Sequence, residues 1–301
     1  MAIPNSSKGT EISSRMTPKV QDALEAGPEL PGILVNPEWL GEHVGHPRVR
    51  IVDLRDREAH AGGHIPGAVQ LDLEDLGENR DGCDNVVLGP AEFGRLMAGL
   101  GISNGDTVVA YDDHWGLPSA RLVWALQLYG ERAVSVLNGG WDRWQEEGRP
   151  VTLSSVTDGP GSDRAASEPA DGFEAHPTPE VAADYEWISS GVARGDLVLL
   201  DTRSDAEFAQ GHLPGAISWD WFNAVPAGSW ECSREPDMIR SELAALGVHP
   251  SDEVVAYCRS GMRAAHTYVV LRHAGFPRVR LYDGSWQEWA MKGTPPHPRE
   301  R

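Results

Sequence analysis

Residues 256–266 read AYCRSGMRAAH, a cysteine followed by two arginines, a serine, a glycine and a methionine, and then by an alanine-led helical run. EVVAYC reads as a strand that ends on Cys258, and AAHTYVVLRHAG reads as the helix that follows. A strand–loop–helix turn of this length can aim successive backbone N–H groups at one point, and the helix N-terminus adds a partial positive charge there. Arg259 and Arg263 add cationic hydrogen-bond donors, Ser260 a hydroxyl, and Gly261 lets the backbone curl beside Met262. All of these favour an anion at the centre. A thiol so placed ionises more readily, and the thiolate is a nucleophile. Buried structural cysteines usually have apolar neighbours, whereas Cys258 stands between Tyr257 and Arg259. The expected roles are Cys258 as nucleophile, with Arg259, Ser260, Gly261, Met262 and Arg263 as the cradle for a bound anion.

The elements that position this loop occur twice. IVDLRDREAHAGGHIPGAVQLDL (51–73) returns as LLDTRSDAEFAQGHLPGAISWDW (199–221), LMAGLGISNGDTVVAYDD (96–113) as ELAALGVHPSDEVVAYCR (242–259), and VSVLNGGWDRWQEEGRP (134–150) as VRLYDGSWQEWAMKGTP (279–295). Three blocks in one order imply a duplicated domain. Short β-branched runs alternate with helical stretches such as PAEFGRLMAGLG and ARLVWALQLYG, which predicts parallel sheets covered on both faces. Sites in such folds lie beyond the carboxyl ends of strands, where Cys258 falls. The Ser-, Gly- and Pro-rich segment after residue 150 lacks apolar periodicity. The expected division is a flexible tail (1–30), a first domain (31–150), a linker (151–176) and a second domain (177–298). The first copy carries Asp112 where the second has Cys258. A carboxylate there repels an anionic substrate, so the first copy is expected to support and the second to react.

Composition narrows the partners. A formal net charge of −19 opposes nucleic-acid binding and attachment to anionic membranes. No run approaches the roughly 18 apolar residues of a membrane span, and the first 30 residues lack the apolar core of a signal peptide. A cytoplasmic protein is expected. Cys83 and Cys232, in NRDGCDN and GSWECSREP, read as incidental thiols in loops. With no His or Cys pair at close ligand spacing, no zinc site is expected.

Taken together, DLRDREAHAGGHIPGA, DTRSDAEFAQGHLPGA, CRSGMR and YDGSW resemble the tandem-domain rhodanese family of sulfurtransferases over about residues 31–298. The resemblance implies an α/β fold of two rhodanese-like domains, each a mainly parallel sheet flanked by helices. It implies transfer of sulfane sulfur from a small-molecule donor to a thiophilic acceptor, cyanide or a thiol, through a Cys258 persulfide and with no cofactor or metal. The basic loop favours thiosulfate, whereas Ser260 matches the loop of members that use 3-mercaptopyruvate. Glu207 stands where many animal members place a substrate-binding arginine. From the first copy, Trp115, Leu117 and Pro118 are the expected cleft wall. A phosphatase of related fold needs one more residue between cysteine and arginine than Cys258 and Arg263 leave. A non-catalytic module is disfavoured by the retained cysteine and both arginines.

Features present in both copies are expected to be structural. These are the pairs Asp53–Arg55 and Asp201–Arg203, the turn residues His64 and His212, and Trp141, Trp144, Trp286 and Trp289 as packing. His266, one turn beyond the loop, is expected to pack or be solvated on its helix.

Overall fold

A computed structural model describes residues 27–153, 172–194 and 197–293. The expected tail, apart from residues 27–30, and most of the linker lie outside the described residues. The first copy runs β1 (Leu34–Val35), α1 (Pro37–His43), β2 (Val49–Asp53), α2 (Arg57–Gly62), β3 (Ala68–Gln70), β4 (Gly77–Arg80), β5 (Cys83–Val87), α3 (Pro90–Gly99), β6 (Thr107–Tyr111), α4 (Leu117–Leu128), β7 (Val134–Leu137) and α5 (Gly140–Glu146). The second runs β8 (Ala182–Ala183), α6 (Tyr185–Arg194), β9 (Val198–Asp201), α7 (Asp205–Gln210), β10 (Ile217–Ser218), α8 (Pro236–Ala245), β11 (Val254–Tyr257), α9 (Met262–His273), β12 (Val279–Tyr282) and α10 (Ser285–Lys292).

Both sheets are parallel and share one topology, β1-β7-β6-β2-β3 in the first copy and β8-β12-β11-β9-β10 in the second. The strands alternate between two cores, because successive side chains leave a strand on opposite faces. Val108 and Ala110 of β6 enter one core, and Val109 and Tyr111 the other. In β11, Val254 and Ala256 join that same first core, while Val255 and Tyr257 face a third. One core therefore runs through both copies. At its centre α4 and α9 pack against each other, and each is buried almost all round, as an interior helix is.

The first copy also has a hairpin with no counterpart among the described residues of the second. Asp81 and Gly82, both at positive φ (54° and 84°), turn β4 into β5, as an Asp-Gly two-residue loop does. Cys83 thus opens a strand and is buried, which corrects the expectation of a loop thiol. Its environment is set by the hairpin packing on the second copy: Cys83 lines a cavity of about 340 Å³ with Tyr282, Glu288 and Met291.

The paired features behave as structural elements. Arg55 meets both carboxylate oxygens of Asp53 and donates to the Gly63 carbonyl, while Arg203 does the same with Asp201 and Gly211. Each guanidinium also lies over a tryptophan, Trp141 at 4.0 Å and Trp286 at 4.8 Å. His64 and His212 each place Nδ1 on the carbonyl four residues back and stack on the ring there, His60 and Phe208 respectively.

Candidate active site

Strand β11 ends at Tyr257, paired in register with Asp201, and delivers Cys258 to the carboxyl edge of the second sheet. The cysteine is 1% exposed. Gly261 caps α9 at φ +85°, a left-handed conformation that glycine adopts without a side-chain penalty. A Cβ there would stand 2.7 Å from Arg121 Nη1 and from Asp283 Oδ1. Beneath the loop, Ser285 is buried at φ +53°. Its Oγ accepts from the Cys258 amide at 3.2 Å and donates to the Tyr282 carbonyl at 2.7 Å. The loop is further tied down from α10 by Trp286 N donating to the Cys258 carbonyl and Gln287 N to that of Arg259.

The first copy reveals what this turn can hold. There the carboxylate of Asp112 fills the loop, accepting from the backbone N–H groups of His114 (2.7 Å), Gly116 (3.0 Å) and Ser119 (2.9 Å) and from the Ser119 hydroxyl. Burial pushes the Asp112 pKa up, against the opposing effect of these donors. The strand-to-helix turn of the first copy is thus a cradle for a small anionic group, filled from within; the corresponding turn of the second copy is one residue shorter, from Cys258 to the cap Gly261 against Asp112 to Gly116, and carries a thiol.

The two loop arginines part company. Arg259 is exposed. Arg263 gives both terminal nitrogens to Glu207, at 2.7 and 2.9 Å. Its pKa is raised, first by those bonds and further by the Cys258 side chain. Hydrogen bonding from Arg263 in turn holds the Glu207 carboxyl at about 2. The loop is flanked on its other side by a buried ion pair that joins the copies. Arg121 Nη1, on α4, lies 2.6 Å from Asp283 Oδ1, close in distance though off the line of a directed hydrogen bond. Arg121 Nη2 donates to the Asn85 carbonyl, and Asp283 Oδ2 accepts from Val87 N.

Of the expected wall residues, Trp115 crosses between the copies. Its Nε1 donates to the Ser229 carbonyl at 3.1 Å, and its ring meets Phe222 edge-on. Leu117 and Pro118 are half-buried in the first turn of α4. The second copy adds Trp221, on the short turn Trp221–Ala224, hydrogen-bonded through its N–H to Thr202 beside β9. His266 packs edge-on against Trp221 and places Nε2, as a donor, on the Trp115 carbonyl at 3.1 Å. Burial lowers its pKa to about 4, so it is a neutral packing group. The other thiols have raised pKa values by burial, Cys232 to about 12.

Sequence reasoning did not find Arg121, Asp283, Ser285 or the Trp221–Phe222 pair. One indication was available: the repeat sets Gly140 against Ser285, and both sit at φ +53°.

A family model for the Rhodanese-like domain matches residues 36–147 and 184–292. The chain belongs to that family and carries its domain twice. Among named relatives, the sulfur carrier protein TtuD of Thermus thermophilus is 34% identical over 293 residues, which cover 88% of this chain and 96% of the relative. A thiosulfate sulfurtransferase of Corynebacterium glutamicum is 35% identical, covering 86% and 88%. Among solved structures, the 3-mercaptopyruvate sulfotransferase SseA of Escherichia coli superposes with a TM-score of 0.74 at 26% identity, over 85% of this chain and 99% of that one.

Proposed function

We propose that this chain is a thiosulfate sulfurtransferase whose second copy carries sulfur on Cys258. The observation that supports it most directly is the Asp112 cradle: the turn after β6 binds a carboxylate in the first copy, and its shorter counterpart after β11 presents a buried thiol in the second. The Cys258 thiolate attacks the outer sulfur of thiosulfate, the S–S bond of the donor breaks, and sulfite leaves as a dianion. The enzyme keeps a persulfide, Cys258–S–S⁻, whose terminal charge the loop N–H groups and the N-terminus of α9 stabilise. Cyanide or a thiolate then attacks the terminal sulfur and Cys258 returns as thiolate. Charge balances in both steps, and the transferred atom stays at the sulfane level throughout, so the chemistry calls for no cofactor.

Within this scheme Arg259, Ser260, Gly261, Met262 and Arg263 form the anion-binding loop, and Trp115, with Trp221 and Phe222, walls the cleft. Small-molecule donors and thiophilic acceptors are the partners. No helix among the described residues is long and apolar enough to cross a membrane. All three cysteines are free thiols, as suits a reducing compartment such as the cytoplasm.

A second reading, 3-mercaptopyruvate as donor, draws on Ser260 and on the structural likeness to SseA. There the sulfur passes to Cys258, and the thiol proton ends on the methyl carbon of pyruvate. Mass spectrometry of donor-treated protein tests both. A gain of one sulfur atom on Cys258, absent in Cys258→Ser, is expected. Failure of every donor to add that mass would overturn the assignment.

A further inference from the structure

The second loop arginine is already occupied, and by a carboxylate. Four hydrogen bonds fix Glu207: Arg263 Nη1 and the Ser204 N–H and hydroxyl reach Oε2, and Arg263 Nη2 reaches Oε1. Ser204 and Glu207 also form the capping box of α7, so the carboxylate is built into a helix start. The fork of Arg263 that would take a substrate carboxylate in two parallel bonds is therefore closed by an intramolecular one. Arg259, by contrast, is exposed next to Cys258.

We propose that Glu207 is the residue that sets sulfur-donor selectivity: by closing the Arg263 fork it disfavours donors recognised through a carboxylate and leaves Arg259 to recruit carboxylate-free sulfur anions. This deepens the proposed function and rests on Cys258 being the sulfur carrier. With its carboxyl at about 2, Glu207 stays ionised through any practical assay pH, so the pair keeps both its charges. A donor carboxylate must displace a preorganised rival that is never diluted, whereas thiosulfate can engage Arg259 without disturbing the pair.

The test compares kcat/KM for 3-mercaptopyruvate and thiosulfate, with cyanide as acceptor, in the wild type, Glu207→Gln, Glu207→Ala and Glu207→Asp. Glutamine also serves in a capping box, so Glu207→Gln removes the charge while keeping the start of α7. The mercaptopyruvate-to-thiosulfate ratio should rise about tenfold in Glu207→Gln and Glu207→Ala, the scale of one charge-assisted hydrogen bond, and fall back toward wild type in Glu207→Asp. A purely structural role would lower both donors together, and an unchanged ratio overturns the proposal. An independent measurement needs no variant. In the wild type, pyruvate should inhibit thiosulfate turnover no better than methanesulfonate, and tenfold tighter pyruvate inhibition would also overturn it. If wild-type Cys258 gains sulfur from no donor, the functional reading itself has failed, an outcome distinct from an unmoved ratio.

Discussion

The ion pair between Arg121 and Asp283 makes a quantitative claim about how the copies support one another. Two opposite charges 2.6 Å apart attract by about 6 kcal/mol at an effective dielectric constant near 20. Most of that is offset by desolvation, since Arg121 is 2% and Asp283 15% exposed at the side chain. Removing one partner alone is far more costly than the pair's net contribution, because a buried charge is left behind. Asp283→Asn is the discriminating change. Asn138, at the equivalent place in the first copy, already accepts from the Cys232 amide through its side-chain oxygen at 2.9 Å. An asparagine at 283 can serve Val87 N in the same way, so the lost quantity is the charge. We expect Asp283→Asn to destabilise by about 3 kcal/mol, at the low end for breaking a buried pair. Arg121→Met should cost a similar amount. The double variant should cost well under the sum, with a coupling of about 2 kcal/mol. Urea unfolding of the four proteins gives the cycle. Additive losses, or a cost below about 1 kcal/mol for Asp283→Asn, would refute the idea that this pair fastens the first copy to the cysteine loop.

Other expectations follow from single contacts. Arg259→Ala should raise the KM for thiosulfate about fivefold and flatten its dependence on ionic strength, as loss of an exposed recruiting charge would; steady-state kinetics at two salt concentrations checks both. Ser285→Ala removes the hydroxyl that accepts from the Cys258 amide, at a cost of about 1 kcal/mol, and should slow iodoacetamide alkylation of Cys258 while leaving the circular dichroism unchanged. His266 is neutral in the fold, with a pKa lowered by burial to about 4 from 6.5. The unfolded chain therefore binds a proton that the folded chain refuses. This contribution is fully present above pH 6.5 and is lost as pH falls toward 4, by up to about 3 kcal/mol. Unfolding measured between pH 4 and 7 should show a shallower slope in His266→Gln.

What could be read in the sequence was what recurs or lies close together. The duplicated blocks announced two parallel sheets, and Cys258 with its loop occupies six consecutive residues whose chemistry needs no distant partner to be recognised. Asp112 stands out because the repeat aligns it with Cys258, and the structure places both at the end of the corresponding strand. The hairpin is marked in the sequence only by the Asp81-Gly82 turn pair, because the strands it joins, Gly77–Arg80 and Cys83–Val87, are short and largely polar and Cys83 there reads as a loop thiol. Contacts across long separations left no local trace. Glu207 and Arg263 lie 56 residues apart and belong to different helices. Alone, Arg263 reads as a donor for a bound anion and Glu207 as a departure from a basic site, and only the fold shows them to be one neutral unit.

The interface between the copies carries the clearest reason for keeping a domain that lacks the thiol. Gly116 and Gly261 both cap their helices in the left-handed conformation, at φ +80° and +85°. Five residues on from each stand Arg121 and His266. Because α4 and α9 pack on each other, each of these side chains reaches the opposite copy's loop: His266 the Trp115 carbonyl next to Gly116, and Arg121 the flank of Gly261. The arrangement is reciprocal in space but not in charge. The aspartate loop, which contains its own anion, is met by a neutral imidazole. The cysteine loop, which holds a thiol in place of a carboxylate, is met by a guanidinium anchored through Asp283. A single-copy chain would leave Gly261 facing solvent and Asp283 without its cation. Beyond the cleft wall assigned to Trp115, the proposed sulfur transfer at Cys258 should therefore depend on the first copy for positioning, exerted through the backbone of the loop and lost with Arg121 even when every residue of the second copy is intact.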